Sequence, residues 1–360
     1  MKFSILEKVL LSGNVCVTSL LAISYLAPLI NPDKYWFVAL LGLVYPILFI
    51  INILYVIYWF IQSRKIILIS LICLFLGWRT MTNYWAFYTL STSHRDKKLK
   101  SALRLMTYNV HNFESVDPKN KNYTDTAIIN LLGGKRPDII AFQEFHLMSS
   151  RFAICDSLRK SIHTKHYYFE PFISSDADST GLAIFSKFPI VKQGVIKLSN
   201  METDNQGIYA DIRSPSGIFR VYSVHLQSIL LNNSDLKITG RKSAKNLINK
   251  LKVAFITRSK QVKIVKAHAE ICPYPYVVLG DFNDTPNSYT VKQMSHGLRN
   301  AFNEKGRGLG VTFNQLLPMF QIDYILLSPE FTVLDYQILR KKISDHYPVY
   351  SEVILNNTLN

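Results

Sequence analysis

The most constraining feature of this sequence is a pair of long apolar runs that carry no charge. The stretches 9–32 and 35–63 contain no Asp, Glu, Lys or Arg. A helix needs about 20 apolar residues to cross the hydrocarbon core of a bilayer, and both runs are long enough. The sequence therefore predicts two membrane spans, close to residues 9–31 and 36–61.

A third apolar run, 66–78, is too short to span a bilayer by itself. It reaches about 20 residues, over 66–86, if Arg79 extends its charged end to the membrane surface. Tyr84 and Trp85 would then lie at the interface, where amphipathic aromatic rings are enriched. We therefore expect a third span and a multi-pass membrane region.

The first run has two other interpretations, a cleaved signal peptide and one arm of a buried helical hairpin. A signal peptide would leave the second run unexplained, and no small-residue cleavage site precedes Asp33. The length of both runs disfavours a buried hairpin. We expect residues 1–90 to form a transmembrane region, residues 91–102 a polar linker and residues 103–356 a catalytic domain.

The basic residues around the spans set the expected orientation. Two lysines precede the first span, and Arg64 with Lys65 fill the loop between spans two and three. Because loops rich in Lys and Arg stay in the cytoplasm, the N-terminus is expected inside. Three spans then place the catalytic domain outside the cytoplasm. The basic stretch 95–100 opposes this orientation, and without span three the domain would be cytoplasmic.

From Leu103 onward, short apolar runs alternate with polar clusters. Many of these runs are candidate strands, and the candidate helices include Arg241–Lys252 and Ser259–Ile271. Strands mixed with helices and joined by short turns predict an α/β fold in which two packed β-sheets are flanked by helices.

The basic charge of the chain lies mostly in this second part. Residues 1–94 hold six basic and two acidic residues, so +12 of the formal +16 belongs to residues 95–360. A basic surface attracts nucleic acid, inositol phosphates or anionic lipid headgroups, without choosing among them. The segment Ser228–Leu236 is a candidate loop for lipid insertion, whereas the basic helices after it would suit a nucleic-acid backbone.

The four cysteines do not define a cellular compartment. Cys16 and Cys73 lie in the apolar runs, while Cys155 and Cys272 lack the spacing of a zinc site. A disulfide between the last two stays open.

Polar side chains follow apolar strand candidates at several points along the second part of the chain. These residues are Asn109, Glu144, His225, Asp281 and Asp323. At strand ends a sheet can hold ligands rigidly while loops admit substrate. Because Mg²⁺ takes oxygen ligands and keeps several waters, one or two carboxylates can hold it. Glu144 is the first candidate ligand, and Asn109 offers an amide oxygen to the metal or a donor to a phosphate.

The segment Gly280-Asp281-Phe282-Asn283 carries the sharpest signal. Four apolar residues lead into a glycine that permits a tight turn, and Asp281 and Asn283 then face the same side. Asp281 is suited to orient an attacking water, and Asn283 to donate to a phosphate oxygen as charge builds. An Asx turn is the ordinary alternative.

A third cluster pairs an imidazole with carboxylates near the end of the chain. His346 follows Asp345, but adjacent side chains in an extended segment do not easily bond to each other, so Asp323 is the expected partner of the imidazole. Such a pair raises the pKa of histidine and fixes its tautomer. Asp345 is then left as a metal ligand, and His225 is expected to contact the phosphate, unless it is an ordinary core histidine.

In this order the motifs resemble the endonuclease/exonuclease/phosphatase superfamily, which includes exonuclease III, DNase I, neutral sphingomyelinases and inositol polyphosphate 5-phosphatases. The resemblance spans roughly 104–355. It implies a four-layer α/β sandwich and cleavage of phosphoesters with Mg²⁺, for which Mn²⁺ and Ca²⁺ are alternatives. It also implies metal-side, phosphate-contacting and catalytic roles for Asn109, Glu144, His225, Asp281, Asn283, Asp323, Asp345 and His346.

Parts of the sequence depart from particular branches of that superfamily. After Asn109 the chain continues Val-His-Asn-Phe, where abasic-site nucleases usually carry a glycine-bearing turn, so repair activity is not expected. The stretch 179–190 resembles a broad hydrolase branch, and 223–228 resembles the sphingomyelinase-like branch. Neither defines a substrate.

The combined expectation is a membrane-anchored phosphodiesterase. It would hydrolyse nucleic acid or a phospholipid headgroup by in-line attack of water, with the membrane and the substrate as its partners and no protein partner. The alternatives are a phosphomonoesterase acting on a soluble ester and a non-catalytic scaffold with the same fold.

Overall fold

The chain forms two compact units in a computed structural model. A helical unit comprises Met1–Tyr84, Ile229–Ser259 and Asp284–Gln293, and a sandwich unit comprises Trp85–Ser228, Lys260–Asn283 and Met294–Asn360. The structure describes residues 3–88, 102–117, 123–148, 153–174, 178–199, 203–229, 240–315 and 319–356. The predicted linker at 91–102, apart from Ala102, and most of the candidate lipid loop Ser228–Leu236 lie outside them.

Five helices open the helical unit. They are α1 (Ile5–Ser24), α2 (Pro32–Leu43), α3 (Tyr45–Ile61), α4 (Ile67–Leu76) and α5 (Trp78–Met81). A capping box starts α1, because Ser4 and Glu7 each accept a hydrogen bond from the other's backbone N–H. The second apolar run breaks into α2 and α3, bent by 48°, where Pro46 can begin a helix but cannot continue one.

Among the described residues, α1 is long and apolar enough by itself to cross a membrane. The bent pair of α2 and α3 passes the same test only when taken together, and α4 is shorter. The third span predicted at 66–86 is wrong as a continuous helix, because α4 ends before Gly77 and Trp85 begins a short strand.

The interior of the helical bundle contains a polar network beside an apolar cluster that includes Leu21, Tyr45 and Leu48. Asn14 of α1 donates through Nδ2 to Ser70 Oγ of α4 at 2.6 Å. The indole N–H of Trp59 in α3 donates to Asn14 Oδ1 at 3.1 Å. Thr18 donates to Asn52 Oδ1 at 2.6 Å. All five side chains are buried, so these bonds join α1, α3 and α4.

The outward faces of the same helices are apolar. Ile5 is 83% exposed, Phe60 73% and Phe75 78%. Exposed apolar patches of this kind mark contact with an apolar partner or a lipid.

The long helix α8 (Arg241–Glu270) belongs to both units. Two helices were predicted here, Arg241–Lys252 and Ser259–Ile271, and that prediction is wrong. The predicted break is spanned by three buried side chains at helical spacing, those of Leu251, Phe255 and Arg258. One buried face therefore runs through the predicted break, and the helix continues without interruption. In the helical unit, Leu251 and Phe255 pack with Ala39 of α2.

The sandwich unit contains two six-stranded sheets. The first has the order β13 (Phe331–Ile338), β14 (Val349–Leu355), β2 (Leu103–Asn109), β3 (Ile139–Met148), β5 (Asp178–Ser186), β4 (His166–Ser174). The second has the order β10 (Arg299–Asn300), β12 (Asp323–Leu327), β9 (Tyr276–Asp281), β8 (Gly217–His225), β7 (Gln206–Ser214), β6 (Ile190–Lys197). A small sheet pairs β1 (Trp85–Phe87) with β11 (Arg307–Leu309).

The main core lies between the two large sheets, where Leu105 and Ile139 of the first belong to one buried cluster with Val221 and Val277 of the second. The other face of the first sheet is covered by α6 (Asp125–Lys135) and α7 (Ala153–Ile162). On the second sheet, Tyr222 contacts His268 of α8. Short helices α9 (Tyr289–Met294) and α10 (Ala301–Lys305) complete the fold. Two large sheets flanked by helices confirm the predicted α/β class.

One local feature differs from expectation, and one open alternative is decided. Gly280 does not form a tight turn: it lies inside β9 with φ +151°, and a side chain there would strike Val224 O of the neighbouring strand. The chain also leaves Cys155 and Cys272 as free thiols.

Candidate active site

The predicted polar residues meet because they end neighbouring strands. Asn109 is the last residue of β2, His225 the last of β8 and Asp281 the last of β9. The pairs β2–β3 and β8–β9 are parallel, so the carboxyl ends of each pair lie at the same edge of their own sheet. The hydrogen bond from Asn109 to Asp281 joins these two edges. Asp323 begins the antiparallel β12 and lies opposite Asp281. All eight predicted site residues are brought together at this edge.

Strained backbone aims two of these side chains. Glu144 has φ +50° at a β-bulge in β3, and Asn283 has φ +53° just after β9. A non-glycine residue with positive φ costs of order 1–3 kcal/mol and is found most often at functional sites. The bulge adds a residue to β3 and so turns Glu144 toward the site.

Asn109 connects the two sheets. Its Nδ2 donates to Glu144 Oε1 at 2.9 Å and to Asp281 Oδ2 at 3.2 Å. Its Oδ1 accepts from the backbone N–H of His111 at 3.0 Å. By donating to both carboxylates, Asn109 orients Glu144 and Asp281. Glu144 also has His225 nearby, whose Nε2 lies 3.5 Å from Glu144 Oε1.

His111 is the site residue that sequence reasoning missed. Its Nδ1 lies 3.4 Å from Asp345 Oδ2 and 3.7 Å from Glu144 Oε2. It opens a turn in which three successive residues have positive φ, ending in Phe113, which is buried. The sequence places it in the same motif as Asn109, two residues further on, but assigns it no role.

The pair of Asp323 and His346 was predicted as a hydrogen-bonded unit, and the two side chains meet in that way. His346 Nδ1 lies 2.9 Å from Asp323 Oδ2, and its Nε2 lies 3.7 Å from Asp281 Oδ2. Ser344 Oγ donates to Asn109 O at 2.9 Å and lies 3.0 Å from Asp345 Oδ1, which ties this segment to β2.

Charge and burial set the protonation of the site. Burial alone would raise the pKa of Glu144, but His111, His225 and Asn109 outweigh it and hold that pKa at about 2. Burial opposes protonation of His346, yet three nearby carboxylates raise its pKa well above the ordinary value. Burial raises the pKa of Asp281, despite the neighbouring His346. The site therefore holds an ionised glutamate beside a protonated histidine at neutral pH.

Asn283 holds Asp281 in place. Its backbone N–H donates to Asp281 Oδ1 at 2.7 Å, and its Nδ2 donates to Leu226 O at 3.0 Å. The role expected for it from the sequence, donation to a phosphate, remains a prediction.

The donors at this edge fit a hard divalent cation. Glu144 and Asp345 offer carboxylate oxygens, and His225 Nε2 is buried without a hydrogen-bond partner among the described residues. A tighter trio, Asp281, Asp323 and His346, has donor atoms within 4.8 Å of one another. Because Nδ1 of His346 is already bonded to Asp323, we interpret this trio as a group that holds protons, and Glu144 as the metal side.

Comparisons with known proteins agree with this geometry. Residues 7–84 match a domain of unknown function (DUF8431). No curated protein sequence matches the chain. Several solved structures share the fold at low identity, which is evidence for the fold alone.

An endonuclease/exonuclease/phosphatase family protein from Bacteroides thetaiotaomicron is 20% identical, with TM-score 0.53 over 71% of this chain and 98% of its own. A mannosyl-6-phosphatase from Bacteroides thetaiotaomicron VPI-5482 is 19% identical, with TM-score 0.52 over 70% of this chain and 99% of its own. An endonuclease/exonuclease/phosphatase from Beutenbergia cavernae DSM 12333 is 20% identical, with TM-score 0.52 over 71% and 72%.

A match of the sequence itself to a family model goes further than these likenesses of fold. Residues 106–346, more than half of the chain, match the model of one family, and they contain every predicted site residue. The chain belongs to the Endonuclease/Exonuclease/phosphatase family.

Proposed function

We propose that this protein is a membrane-anchored phosphoesterase that depends on a divalent metal and hydrolyses a phosphodiester, in nucleic acid or in a phospholipid headgroup. The observation that carries the proposal is the convergence on Asp281, whose Oδ2 lies 3.2 Å from Asn109 Nδ2 and 3.7 Å from His346 Nε2. Such a set can activate water and stabilise charge on one phosphate.

Each side chain has a role in this mechanism. Glu144, with Asn109 and Asp345, would hold the ion, and bound Mg²⁺, or Mn²⁺ or Ca²⁺, would neutralise charge on the phosphate. Asp281 accepts a proton from the attacking water, because its raised pKa makes it a better base. His346, protonated and oriented by Asp323, donates a hydrogen bond to the phosphate, and the unpartnered Nε2 of His225 contacts it as well.

The membrane anchor is supported by the exposed apolar faces of the helical unit. These faces, and the buried hydrogen bonds of Asn14 that join its helices, suit a bilayer. We infer a multi-pass anchor with the catalytic part outside the cytoplasm. Labelling of Cys272 with a membrane-impermeant maleimide on intact cells tests that orientation, because labelling only after lysis would contradict it.

The activity test uses the full-length protein in detergent micelles with Mg²⁺. Plasmid DNA, sphingomyelin vesicles, bis(p-nitrophenyl) phosphate and p-nitrophenyl phosphate are offered in parallel. We expect diester cleavage that chelation abolishes and that neither Asp281→Ala nor His346→Ala retains, while His296→Ala, an exposed histidine, keeps it. Cleavage of the monoester alone would favour a phosphomonoesterase, the activity named for one neighbour of this fold.

Wild-type rates in Asp281→Ala would contradict the site. Silence of the folded wild-type protein on all four substrates, with Mg²⁺, Mn²⁺ or Ca²⁺, would contradict the enzymatic function and leave the scaffold alternative.

A further inference from the structure

The loop that leaves the active site is built into the helical unit. Asp281 and Asn283 belong to the sandwich unit, but the next residues, Asp284–Gln293, belong with the N-terminal helices. Four polar residues of this loop, Asp284, Thr285, Asn287 and Ser288, are at most 5% exposed. Buried polar loops need specific partners, and here the helices supply them.

Asn287 makes two hydrogen bonds to the N-terminal part of the chain. Its Nδ2 donates to Ser24 O at 3.0 Å, a carbonyl at the end of α1 that also accepts from the Ala27 N–H. Its backbone N–H donates to Tyr84 Oη at 3.3 Å. Its carbonyl oxygen lies against Gly42 of α2, where an added Cβ would strike that oxygen and come within 2.6 Å of Ala27 Cβ.

A buried ion pair anchors the start of the same loop. Asp284 Oδ2 lies 3.2 Å from Arg258 Nε of α8, and both side chains are almost completely buried. The loop is therefore held at Asp284 and again at Asn287, and its first residue is bonded directly to Asn283. Asn283 has φ +53°, a left-handed conformation that asparagine tolerates, and in it the Asn283 N–H reaches Asp281 Oδ1.

We propose that Asn287 is a positioning residue for catalysis, because its contacts fix the loop that continues the chain from Asp281 and Asn283. The inference rests on the proposed function for its kinetic readout. Removing the contacts of Asn287 loosens the chain after Asn283 and weakens the hydrogen bond by which the Asn283 N–H orients the Asp281 carboxylate. Small displacements of a catalytic group lower turnover more than they lower substrate binding.

The test compares Asn287→Ala with wild type, as full-length proteins in detergent micelles, on bis(p-nitrophenyl) phosphate with Mg²⁺. We expect kcat to fall roughly 10- to 100-fold with little change in KM. Gly42→Ala, which pushes against the Asn287 carbonyl, and Tyr84→Phe, which removes one acceptor, should lower kcat in the same direction. These two variants keep the proposal testable if Asn287→Ala does not fold.

The matched control is Asn52→Ala. Asn52 is also a buried asparagine of the helical unit, but it bonds to Thr18 and Leu48 O and does not touch the loop. An equal loss of kcat in this variant would show a general effect of stability and overturn the proposal.

Hydrogen exchange gives a readout that does not need activity. The amide of Asn283, which donates to Asp281 Oδ1, should exchange faster in Asn287→Ala and not in Asn52→Ala. Unchanged exchange and unchanged kcat in Asn287→Ala would overturn the positioning role while wild-type activity keeps the proposed function.

Discussion

His346 Nδ1 lies 2.9 Å from Asp323 Oδ2, and both side chains are buried beside Asp281. This contact fixes which nitrogen of His346 is left to face the proposed phosphate site, because Nδ1 is held and Nε2 remains. It also keeps the imidazole protonated at a pH where an ordinary histidine is neutral.

Replacing Asp323 by asparagine should therefore move the pH dependence of turnover. The nearby carboxylates raise the pKa of His346 against the opposing effect of burial, so the active imidazolium is present below that raised pKa. Asp323→Asn removes one of these carboxylates and so lowers the pKa of His346. As the pH is raised, the variant should therefore lose activity at a lower pH than the wild type does. At pH 8 we expect a loss of roughly 10²- to 10⁴-fold.

The measurement is a profile of kcat from pH 5 to 10, with Asp156→Asn as control because Asp156 is exposed on α7. An unchanged alkaline limb in Asp323→Asn would contradict the assignment of His346.

A methyl group at Gly280 should disrupt the strand that positions Asp281. Gly280 has φ +151° inside β9 and lies against Val224 O, so alanine meets both a disfavoured conformation and fixed backbone. We expect Gly280→Ala to lower the free energy of unfolding by about 2 kcal/mol or more. Gly134→Ala is the matched control, because nothing lies near its Cβ in α6, and alanine there should stabilise by about 0.5–1 kcal/mol. Denaturant unfolding that ranks the two variants the other way would refute this account.

The buried amide of Asn14 should stabilise the helical bundle. It bonds to Ser70 and Trp59, so Asn14→Leu removes links between α1, α3 and α4. The expected cost is about 0.5–2 kcal/mol in a membrane setting. Unfolding of the detergent-solubilised protein in increasing SDS measures it, with the exposed Ser12→Ala as control. No shift in the Asn14→Leu midpoint would mean that these bonds contribute nothing.

The ion pair of Arg104 and Asp138 predicts a loss of stability in acid. Burial alone would raise the pKa of Asp138, but two hydrogen bonds from Arg104 to its Oδ2, and a third to Oδ1, lower it. A carboxyl with a lowered pKa in the folded state stabilises above its unfolded pKa, near 4, and loses that contribution as pH falls. Thermal unfolding between pH 7 and 3 should show a decline that is shallower in Asp138→Asn. Parallel declines would rule out this pair as a source of it.

Sequence patterns predicted strands whose apolar run or alternation is not interrupted. Asp323–Leu327 was expected as a strand and is β12, because four apolar residues follow Asp323, which begins the strand at the site. Strand β13 was missed because a bulge between Val333 and Asp335 interrupts its alternation. Whether such a segment forms a strand depends on its pairing with distant strands, and a local sequence pattern does not contain that information.

The same limit applies to the active site. Strand-end carboxylates and imidazoles were identified from sequence because their residue types are costly to place there without a purpose. His111 was not, since its approach to Glu144 depends on a left-handed turn that its sequence, His-Asn-Phe, does not demand. The role of Gly280 likewise depends on the neighbouring strand, and the contacts of Asn287 join residues more than 200 positions apart.

The discontinuous make-up of the helical unit has a consequence for its assembly. Its first five helices leave the ribosome early, but Asp284–Gln293 follows about 200 residues later, roughly 10–40 s at the usual pace of translation. During that interval the end of α1 and the face of α2 beside Gly42 lack their contacts with Asn287, which has not yet been synthesised. The unit at the N-terminus is therefore completed only when most of the chain has been synthesised, and a nascent chain stopped before Asp284 has all five helices and no finished unit.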